Sequence, residues 1–570
     1  MEEGASAYPF PVIGIDIGQS TISGCVFANN EYLIVSDSVT GRMIPDAIRF
    51  DNKIAFGDEV KAGNRDTSLV LKNLKNLIGL KNIPDEIINS LQGCSVIRDE
   101  QGIPKIRFEN NVQDMNGEPS IYPEFAFALL LRHVVVQGSI AYGCAIKNAV
   151  IAIPSTYTLK QIHVLKKCAS YIGLNILRLV VGPQAFTAYT LLSNPSFRGN
   201  MNVYDLGGDN FVFSSLCVDD DGIKLLATTK DTENSGYGID DFFDSRLHES
   251  IDESVNHPFT IDAEQLKIDL SVNDIAPLII DNQQYDITRQ LFDQCFEYTW
   301  GSITHSLQSF IAQSPFPSPE LQPVYVCGGN ANIPSLQQAF MNLPTQVTMF
   351  MNSDQSIVTE CLVLGIDLIQ DNSSLQTIPI QNCLLHNLYY SFNQRGSYHL
   401  FNAFTPLQNC KKIINHIPSF LSSTKRIYIC DSKDSWLGYF EVPVELIHDD
   451  DYGCYFHMDD SYELYMDIVI KDRKVLCKCE FHYYDELPEK DIQSFKLVNE
   501  YTDIVRRIIA EFSKPEYSGS ENVNEVLNIM SSNYERESLF QLYPLEDDST
   551  ITGQIQEFTQ YYYEYYKNSI

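Results

Sequence analysis

Residues 203–213, VYDLGGDNFVF, run an apolar stretch into Asp205, then two glycines, a second carboxylate at Asp209, Asn210 and another apolar stretch. Strand-forming residues on either side of a Gly-rich tip predict a hairpin. The same tip, without a Cβ at Gly207 or Gly208, is also a loop whose backbone N–H groups can close on a phosphate. Taken alone, the stretch supports both readings. Comparison with the rest of the chain separates them. Residues 12–27, VIGIDIGQSTISGCVF, repeat the grammar of residues 203–218, VYDLGGDNFVFSSLCV: apolar strand, Asp, apolar residue, Gly, short polar turn, second strand. Each copy runs on into a third strand-like segment, EYLIVSDS (31–38) and IKLLATTKD (223–231), so the chain holds two meanders that share an origin. Two such tips facing each other form a clamp for an oligophosphate, with backbone amides on the phosphates and Asp16 and Asp205 on Mg²⁺ or its waters. A third element, PVYVCGGNANIPSLQQAFMNL (323–343), is a buried strand entering Gly328-Gly329, followed by Pro334 at a first helical position and Leu336, Ala339, Phe340 and Leu343 at helical spacing. Three motifs in this order favour the phosphate clamp over the plain hairpin.

The 570 residues carry 40 Lys+Arg against 74 Asp+Glu, a net charge of −34. An acidic surface of this kind repels nucleic-acid backbones and anionic lipid, so neither is an expected partner. The first residues, MEEGASAYPF, hold two acids where a signal peptide carries positive charge, and no apolar run suggests the roughly eighteen residues of a membrane span. An intracellular, cytoplasmic setting is expected. The fourteen cysteines are scattered singly through apolar runs, as at Cys25, Cys168, Cys217, Cys327 and Cys361, and read as reduced core thiols. In CKCEFH (477–482), Cys477 and Cys479 share one strand face with no second pair nearby, which does not make a zinc site.

Further stretches carry a resemblance. KNLIGL (75–80), NAVIAIPSTYTLKQ (148–161), ASYIGLNILRLVVGPQAFTAY (169–189) and GGNANIP (328–334) resemble the nucleotide-binding domain of the 70-kDa heat-shock (DnaK-type) chaperones, within the actin-like ATPase superfamily. The resemblance is continuous from about Val12 to about Gln370. Beyond it, FTPLQNCKKI (404–413), KRIYICDS (425–432), WLGYFEV (436–442) and DIVIKDRKVLCKCEF (467–481) are strand-like and resemble the family's peptide-binding sandwich, a two-sheet arrangement that the alternation of Val475, Cys477, Cys479 and Phe481 also fits. The expected fold is an α/β actin-like two-lobed nucleotide-binding domain over residues 1–371, a polar linker over 372–383, a β-sandwich over 384–485 and a short helical, lid-like segment over 486–570. The linker lacks the acidic, leucine-rich run of the family. In the last segment, VNEYTDIVRRIIAEF (498–512) spaces Val498, Ile504, Ile508 and Phe512 on one helical stripe, and QYYYEYYKNSI (560–570) reads as a packed terminal helix.

The resemblance implies ATP or ADP with Mg²⁺ as the ligands. By the same resemblance, the magnesium-side aspartates fall on Asp16 and Asp205, and the first phosphate loop on Gly18, Gln19, Ser20 and Thr21. The second loop falls on Gly207, Gly208, Asp209 and Asn210, with Gly328, Gly329, Asn330 and Asp354 completing the pocket and Lys75 as the phosphate-facing lysine. Glu264, Lys267 and Ser271 occupy the family's ribose and adenine positions. Several positions depart from the family. The two arginines that stack on adenine are replaced by Ile268 and Asn332, which removes cation–π stacking. Gly182 stands for a glutamate, Asn210 for a catalytic threonine, Val212 for an aspartate, and Gln19 and Ser20 for paired threonines. Loss of a positioned carboxylate removes about 10²–10⁴-fold from a base-assisted step. Nucleotide binding with weak or absent hydrolysis is therefore expected, in a divergent chaperone that assists folding by binding extended or unfolded polypeptide. Alternatives are a nucleotide-bound co-chaperone or assembly partner of a true 70-kDa chaperone and, third, an actin-like scaffold. Arg178 matches an arginine that helps J-domain proteins dock in the family, which implies such a partner.

Overall fold

The computed structural model describes residues 11–18, 20–36, 43–50, 54–57, 59–60, 70–83, 94–108, 120–231, 233–251, 259, 261–281, 283–350, 354–370, 378–394, 396–414, 426–432, 435–443, 452–470, 475–493, 495–496 and 499. Two compact units emerge, one from Met1–Ile34, Asn148–Leu159 and Leu177–His482, the other from Val35–Lys147, Lys160–Ile176 and Tyr483–Ile570.

The first unit is organised by the duplication. Its first sheet contains β1 (Val12–Ile17), β2 (Thr21–Ala28), β3 (Glu31–Val35), β4 (Asn148–Ile153) and β5 (Asn175–Val181) in the order β5-β4-β1-β2-β3. Its second contains β6 (Gly199–Leu206), β7 (Phe211–Asp219), β8 (Gly222–Asp231), β9 (Val324–Cys327) and β10 (Val347–Met349) in the order β10-β9-β6-β7-β8. Strand for strand the two orders are the same. In both, the first strand pairs antiparallel with the second and parallel with the fourth. Such sheets bury both faces, which is why β1 and β4 read as nearly unbroken apolar runs.

Six helices of this unit are α1 (Gly182–Leu191), α2 (Gly236–Ile251), α3 (Ala263–Val272), α4 (Arg289–Gln313), α5 (Pro334–Met341) and α6 (Asp354–Gln370). Val358, Leu362 and Ile366 recur every four residues along α6 and meet Val12 and Cys25 of the first sheet. Alternate residues of the second hairpin, Tyr204, Leu206, Phe211 and Phe213, lie in one core with Phe243 of α2, Phe292, Phe296 and Trp300 of α4, and Phe340 of α5. The alternate residues Asp205 and Val212 are left for the opposite face.

One element differs from its sequence expectation. The stretch expected to be a plain polar linker contributes β11 (Ile380–Gln381), parallel to β8 with Ile223 beside Ile380 and Lys224 beside Gln381. Its carbonyls are held by side chains: Arg178 donates to Ile380 O and Gln184 Nε2 to Gln381 O at 2.8 Å. Asn382 Nδ2 donates to Leu179 O at 2.7 Å. Unpaired edge amides of β8 draw in this short extended segment, a backbone effect that needs no leucine-rich signature. Residues 371–377 lie outside the described residues.

Beyond β11 come two more sheets. Five strands run in the order Tyr398–Phe401, Leu388–Ser391, Arg426–Ser432, Ser435–Glu441, Phe481–Tyr483, and four in the order Lys411–Ile414, Tyr452–Met458, Leu464–Ile470, Val475–Cys479. The alternating run 475–481 therefore does not stay in one strand: Val475, Cys477 and Cys479 belong to one sheet and Phe481 to the other. Phe440 of the first sheet meets Phe456 of the second with ring centroids 5.9 Å apart.

In the second unit, the helix Pro123–Tyr142 is by length and composition capable of crossing a membrane, which corrects the expectation that no run reaches that length. Its apolar window is 67 % buried, as in the core helix of a folded domain. The chain after the last strand packs here. Phe495, fully buried, stacks on Phe125 at 4.3 Å and 4°, Tyr122 Oη donates to Asp491 Oδ2 at 2.9 Å, and Lys160 donates to Tyr484 O. Residues 489–493 are helical; the remainder of the expected lid, from 501 to 570, lies outside the described residues. All fourteen cysteines are free thiols.

Candidate functional site

Each meander places one aspartate at the next-to-last position of its first strand. Asp16 sits across from Ser23 of β2, and Asp205 across from Val212 of β7, seven residues on in both cases. Directly opposed residues of an antiparallel pair share a face, so Ser23 and Val212 lie on the side of their aspartates. The tips of the two hairpins meet. A Cβ added at Gly208 would lie 2.7 Å from Cβ and Oγ of Ser20, closer than side-chain atoms approach, so only glycine permits this spacing. The start of α2 braces the second tip, with Gly236 N–H donating to Gly207 O at 3.1 Å and Tyr237 N–H to Gly208 O at 2.7 Å.

The third motif closes on the second tip. Gly328 adopts φ +90°, and a Cβ there would fall 2.5 Å from Asp205 Oδ1, so the turn must be glycine for two independent reasons. Gly329–Asn332 then makes one tight turn before α5. The side chain of Asn330 is buried, and its Nδ2 donates to Leu206 O at 3.1 Å and Gly207 O at 3.0 Å. Its Oδ1 is buried without a hydrogen-bond partner among the described residues. Asn210 Nδ2 donates to Asp209 Oδ2 at 2.7 Å. Cys327, the last residue of β9, is pushed well above the usual thiol range by burial first and then by the negative charge of Asp205 and Asp16.

The positions expected on the nucleoside side lie on α3. Lys267 Nζ is 2.7 Å from Asp240 Oδ1 of α2, with both side chains largely buried. Burial raises the Asp240 carboxyl to about 6, and Lys267 opposes that rise. Asp240 was not legible as a site residue, because no local spacing links it to a lysine 27 positions away. Ser271 Oγ donates to Lys267 O at 2.8 Å, and Glu264 stands in the first turn of α3. Ile268 is 41 % exposed and Asn332 Nδ2 donates to Gly329 O at 3.2 Å, so neither offers the flat cation of an arginine. Thr21 opens β2 and lies beside Gly18. Asp354 opens α6, its side chain outside the described residues, as is Gln19. Lys75 belongs to the second unit, where it is buried in the short helix Leu74–Leu77 and its N–H donates to Asp46 Oδ2 at 3.3 Å. Arg178 is turned inward onto Ile380 O, and burial lowers its pKa.

The donor set fits a magnesium–oligophosphate. Asp16 and Asp205 are hard oxygen donors, and among the described residues no group of three His, Cys, Asp or Glu side chains is gathered to hold a metal alone. Magnesium commonly completes its shell with water and phosphate oxygen, which two carboxylates allow.

Comparison with known proteins agrees. The family model described as Hsp70 protein matches residues 12–366, more than half of the chain. Heat shock 70 kDa protein 14 of Danio rerio is 23% identical over 358 residues, covering 58% of this chain and 69% of the relative. Heat shock 70 kDa protein 14-B of Xenopus laevis is 22% identical over 452 residues, covering 74% and 88%. Heat shock 70 kDa protein of Neurospora crassa is 24% identical over 406 residues, covering 65% and 60%. The family carries the actin-like two-lobed ATPase fold and supports a chaperone-like function, with ATP or ADP and Mg²⁺ as its ligands and unfolded polypeptide and co-chaperones as its partners. With the doubled sheet, the facing tips and this match, the chain is a divergent member of the Hsp70 family.

Proposed function

We propose that this protein is a cytoplasmic Hsp70-family chaperone that holds Mg-ATP or Mg-ADP between its two hairpin tips and hydrolyses it weakly or not at all. The observation that carries the reading is the asymmetry around Asp205: the phosphate-holding parts, Gly207, Gly208 and Gly328, are retained, while the cross-strand position facing the site is Val212. Bound magnesium would neutralise phosphate charge. Asp16 and Asp205 would hold it through water, and Asn330 would fix the second tip with its amide while its Oδ1 stays available to a donor. No carboxylate stands at Gly182 or Val212 to orient and deprotonate water. The two sheets from Leu388 to Tyr483 are the proposed sandwich for extended polypeptide, where pairing to a strand edge tolerates varied sequence. On this reading the domains run 1–371, 372–383, 384–485 and 486–570.

The same loss of carboxylates favours a second reading, a constantly nucleotide-bound assembly partner of another 70-kDa chaperone. The two are separated by asking whether ATP releases a bound model peptide. The test of the first is ATP binding by thermal shift beside single-turnover hydrolysis, in the wild type and in Gly182→Glu/Asn210→Thr/Val212→Asp. A Cβ at position 182 meets only Ile153 O at 3.7 Å and Ile357 Cδ1 at 3.9 Å, so the glutamate can be accommodated at its root. Groups acting as one unit are non-additive, so single changes should do little and the triple variant should gain most. Wild-type turnover matching ordinary family members overturns the reading, as does a stable, nucleotide-binding triple variant with no gain in rate.

A further inference from the structure

Beside the apolar core in which Phe296 of α4 and Phe340 of α5 both lie, the two helices also present polar residues. A groove of about 910 Å³ runs between them and the hairpin Ile275–Ile280/Gln283–Thr288, a volume suited to a ligand. From α4 it is lined by Gln290, Asp293, Glu297, Trp300 and Thr304, which recur at helical spacing beside the buried stripe of Phe292, Phe296 and Ile303. From α5 come Ser335, Gln338 and Asn342. Three buried polar atoms of the lining, Asp293 Oδ1, Trp300 Nε1 and Ser335 Oγ, have no hydrogen-bond partner among the described residues. Leaving a buried donor or acceptor unmet is costly and native proteins keep few of them, so three around one groove point to a partner from outside.

Charge decides what kind of partner. Arg289 is committed to Asp274 at 2.8 Å and to Leu270 O at 2.8 Å, which neutralises the rim. Asp293 and Glu297 remain, one turn apart on α4, within a chain whose net charge is −34. An anion is disfavoured. Two carboxylates set a turn apart match the planar fork of a guanidinium better than the point charge of an ammonium. Trp300 supplies the opposite polarity: its indole is fixed in the core by stacking on Phe296 at 5.1 Å, it is only 5 % exposed, and its Nε1 can only donate. The partner must therefore offer a carbonyl near its cation, as an arginine residue in a peptide does.

We propose that the groove between α4 and α5 binds an arginine-bearing peptide segment of a partner protein, with Asp293 and Glu297 taking the guanidinium and Trp300 Nε1–H donating to a main-chain carbonyl. This site is separate from the phosphate clamp and does not depend on how ATP is handled. The probes are acetyl-Ala-Arg-Ala-amide and its citrulline counterpart, which keeps shape and loses charge. Binding to the full-length wild-type chain is measured by calorimetry. Because Trp300 and Trp436 are the two tryptophans, Trp436→Phe leaves fluorescence that reports on Trp300. The arginine peptide should bind saturably and shift that fluorescence, with the citrulline peptide weaker by about tenfold or more. Glu297 is exposed, so Glu297→Gln folds normally and should weaken binding severalfold, as should Asp293→Asn. No saturable binding at millimolar peptide, equal binding of the citrulline peptide, or unchanged binding by Glu297→Gln each overturns the proposal.

Discussion

Gly208→Ala tests whether the two hairpin tips work as a clamp. The new Cβ would start 2.7 Å from both Cβ and Oγ of Ser20. Carbon atoms settle at about 3.5–4.0 Å, so the tips must part by roughly 1 Å. A backbone donor moved that far loses its bond to a charged oxygen, worth about 1.5–3 kcal/mol. Affinity for Mg-ATP should fall by about 10–100-fold. The unliganded melting temperature should barely move, because the tip is a turn at the end of the β6–β7 ladder and no core side chain is removed. The assay is the rise in melting temperature across an ATP titration, which follows RT ln(1 + [L]/Kd). Ser20→Gly placed in the same chain removes both atoms of the clash and should restore most of the lost affinity. If Gly208→Ala binds ATP as tightly as the wild type, with an unchanged fold, the tips do not close on a common ligand and the clamp is wrong. If it weakens binding and Ser20→Gly restores nothing, the loss comes from elsewhere than the Ser20 contact.

Three further outcomes are expected. Glu360 on α6 is 1 % exposed, its Oε2 has no hydrogen-bond partner, and burial raises its carboxyl to about 7 from an ordinary 4.5. A raised acid destabilises the fold increasingly as pH climbs from 4.5 to about 7, so Glu360→Gln should match the wild type in acid and exceed it by up to about 3 kcal/mol above pH 7 in urea unfolding. A pH-independent difference would refute this. Glu486 is lowered to about 2, first by its hydrogen bond to His163 at 3.2 Å and then by the charges of Lys167, His163 and Lys160. That stabilisation is present above pH 4.5 and is lost as pH falls toward 2; with the side chain half exposed it is worth about 1 kcal/mol or less. Glu486→Gln at pH 6 should speed hydrogen exchange of residues 484–493 by up to about fivefold, and salt should mimic it. Phe495→Ala removes a fully buried ring stacked on Phe125 and should cost about 3–5 kcal/mol of the second unit's stability by urea unfolding; a loss under 1 kcal/mol would mean that the segment is not docked.

The duplication was legible because it rests on local patterns. Strand periodicity, an aspartate before the turn and glycine at the tip all fall within sixteen residues, and the two sheets repeat one strand order. What escaped was set by long-range partners. Arg178 reads as a partner-docking arginine, yet its guanidinium is drawn to Ile380 O, 202 residues away. The segment containing Ile380 and Gln381 reads as linker, because two residues joining a sheet edge by backbone pairing leave no side-chain period. Lys267 reads as a nucleoside contact, and the structure pairs its charge with Asp240, whose sequence neighbours Ile239 and Asp241 mark it as an ordinary helix position. The alternation through 475–481 fits a two-sheet sandwich, but that the chain changes sheet between Cys479 and Phe481 is a tertiary choice that alternation alone does not record.

On the proposed reading, register lets binding and hydrolysis be lost separately at this site. Asp16 and Asp205 occupy equivalent places, and their cross-strand partners are Ser23 and Val212. On the proposed reading the tips would hold phosphate through backbone groups, which survive side-chain replacement as long as glycine remains where Ser20 and Asp205 press closest. On the same reading, water activation would need a carboxylate or hydroxyl at positions 182, 210 and 212, where this chain has Gly182, Asn210 and Val212. An aspartate at 212 would stand directly across from Asp205 in a nearly buried position, a like-charge pair that only a bound cation relieves. Valine removes that repulsion and holds the hairpin without ligand. An aspartate at 212 would therefore cost the unliganded fold stability, while any side chain at Gly208 or Gly328 would force the clamp apart.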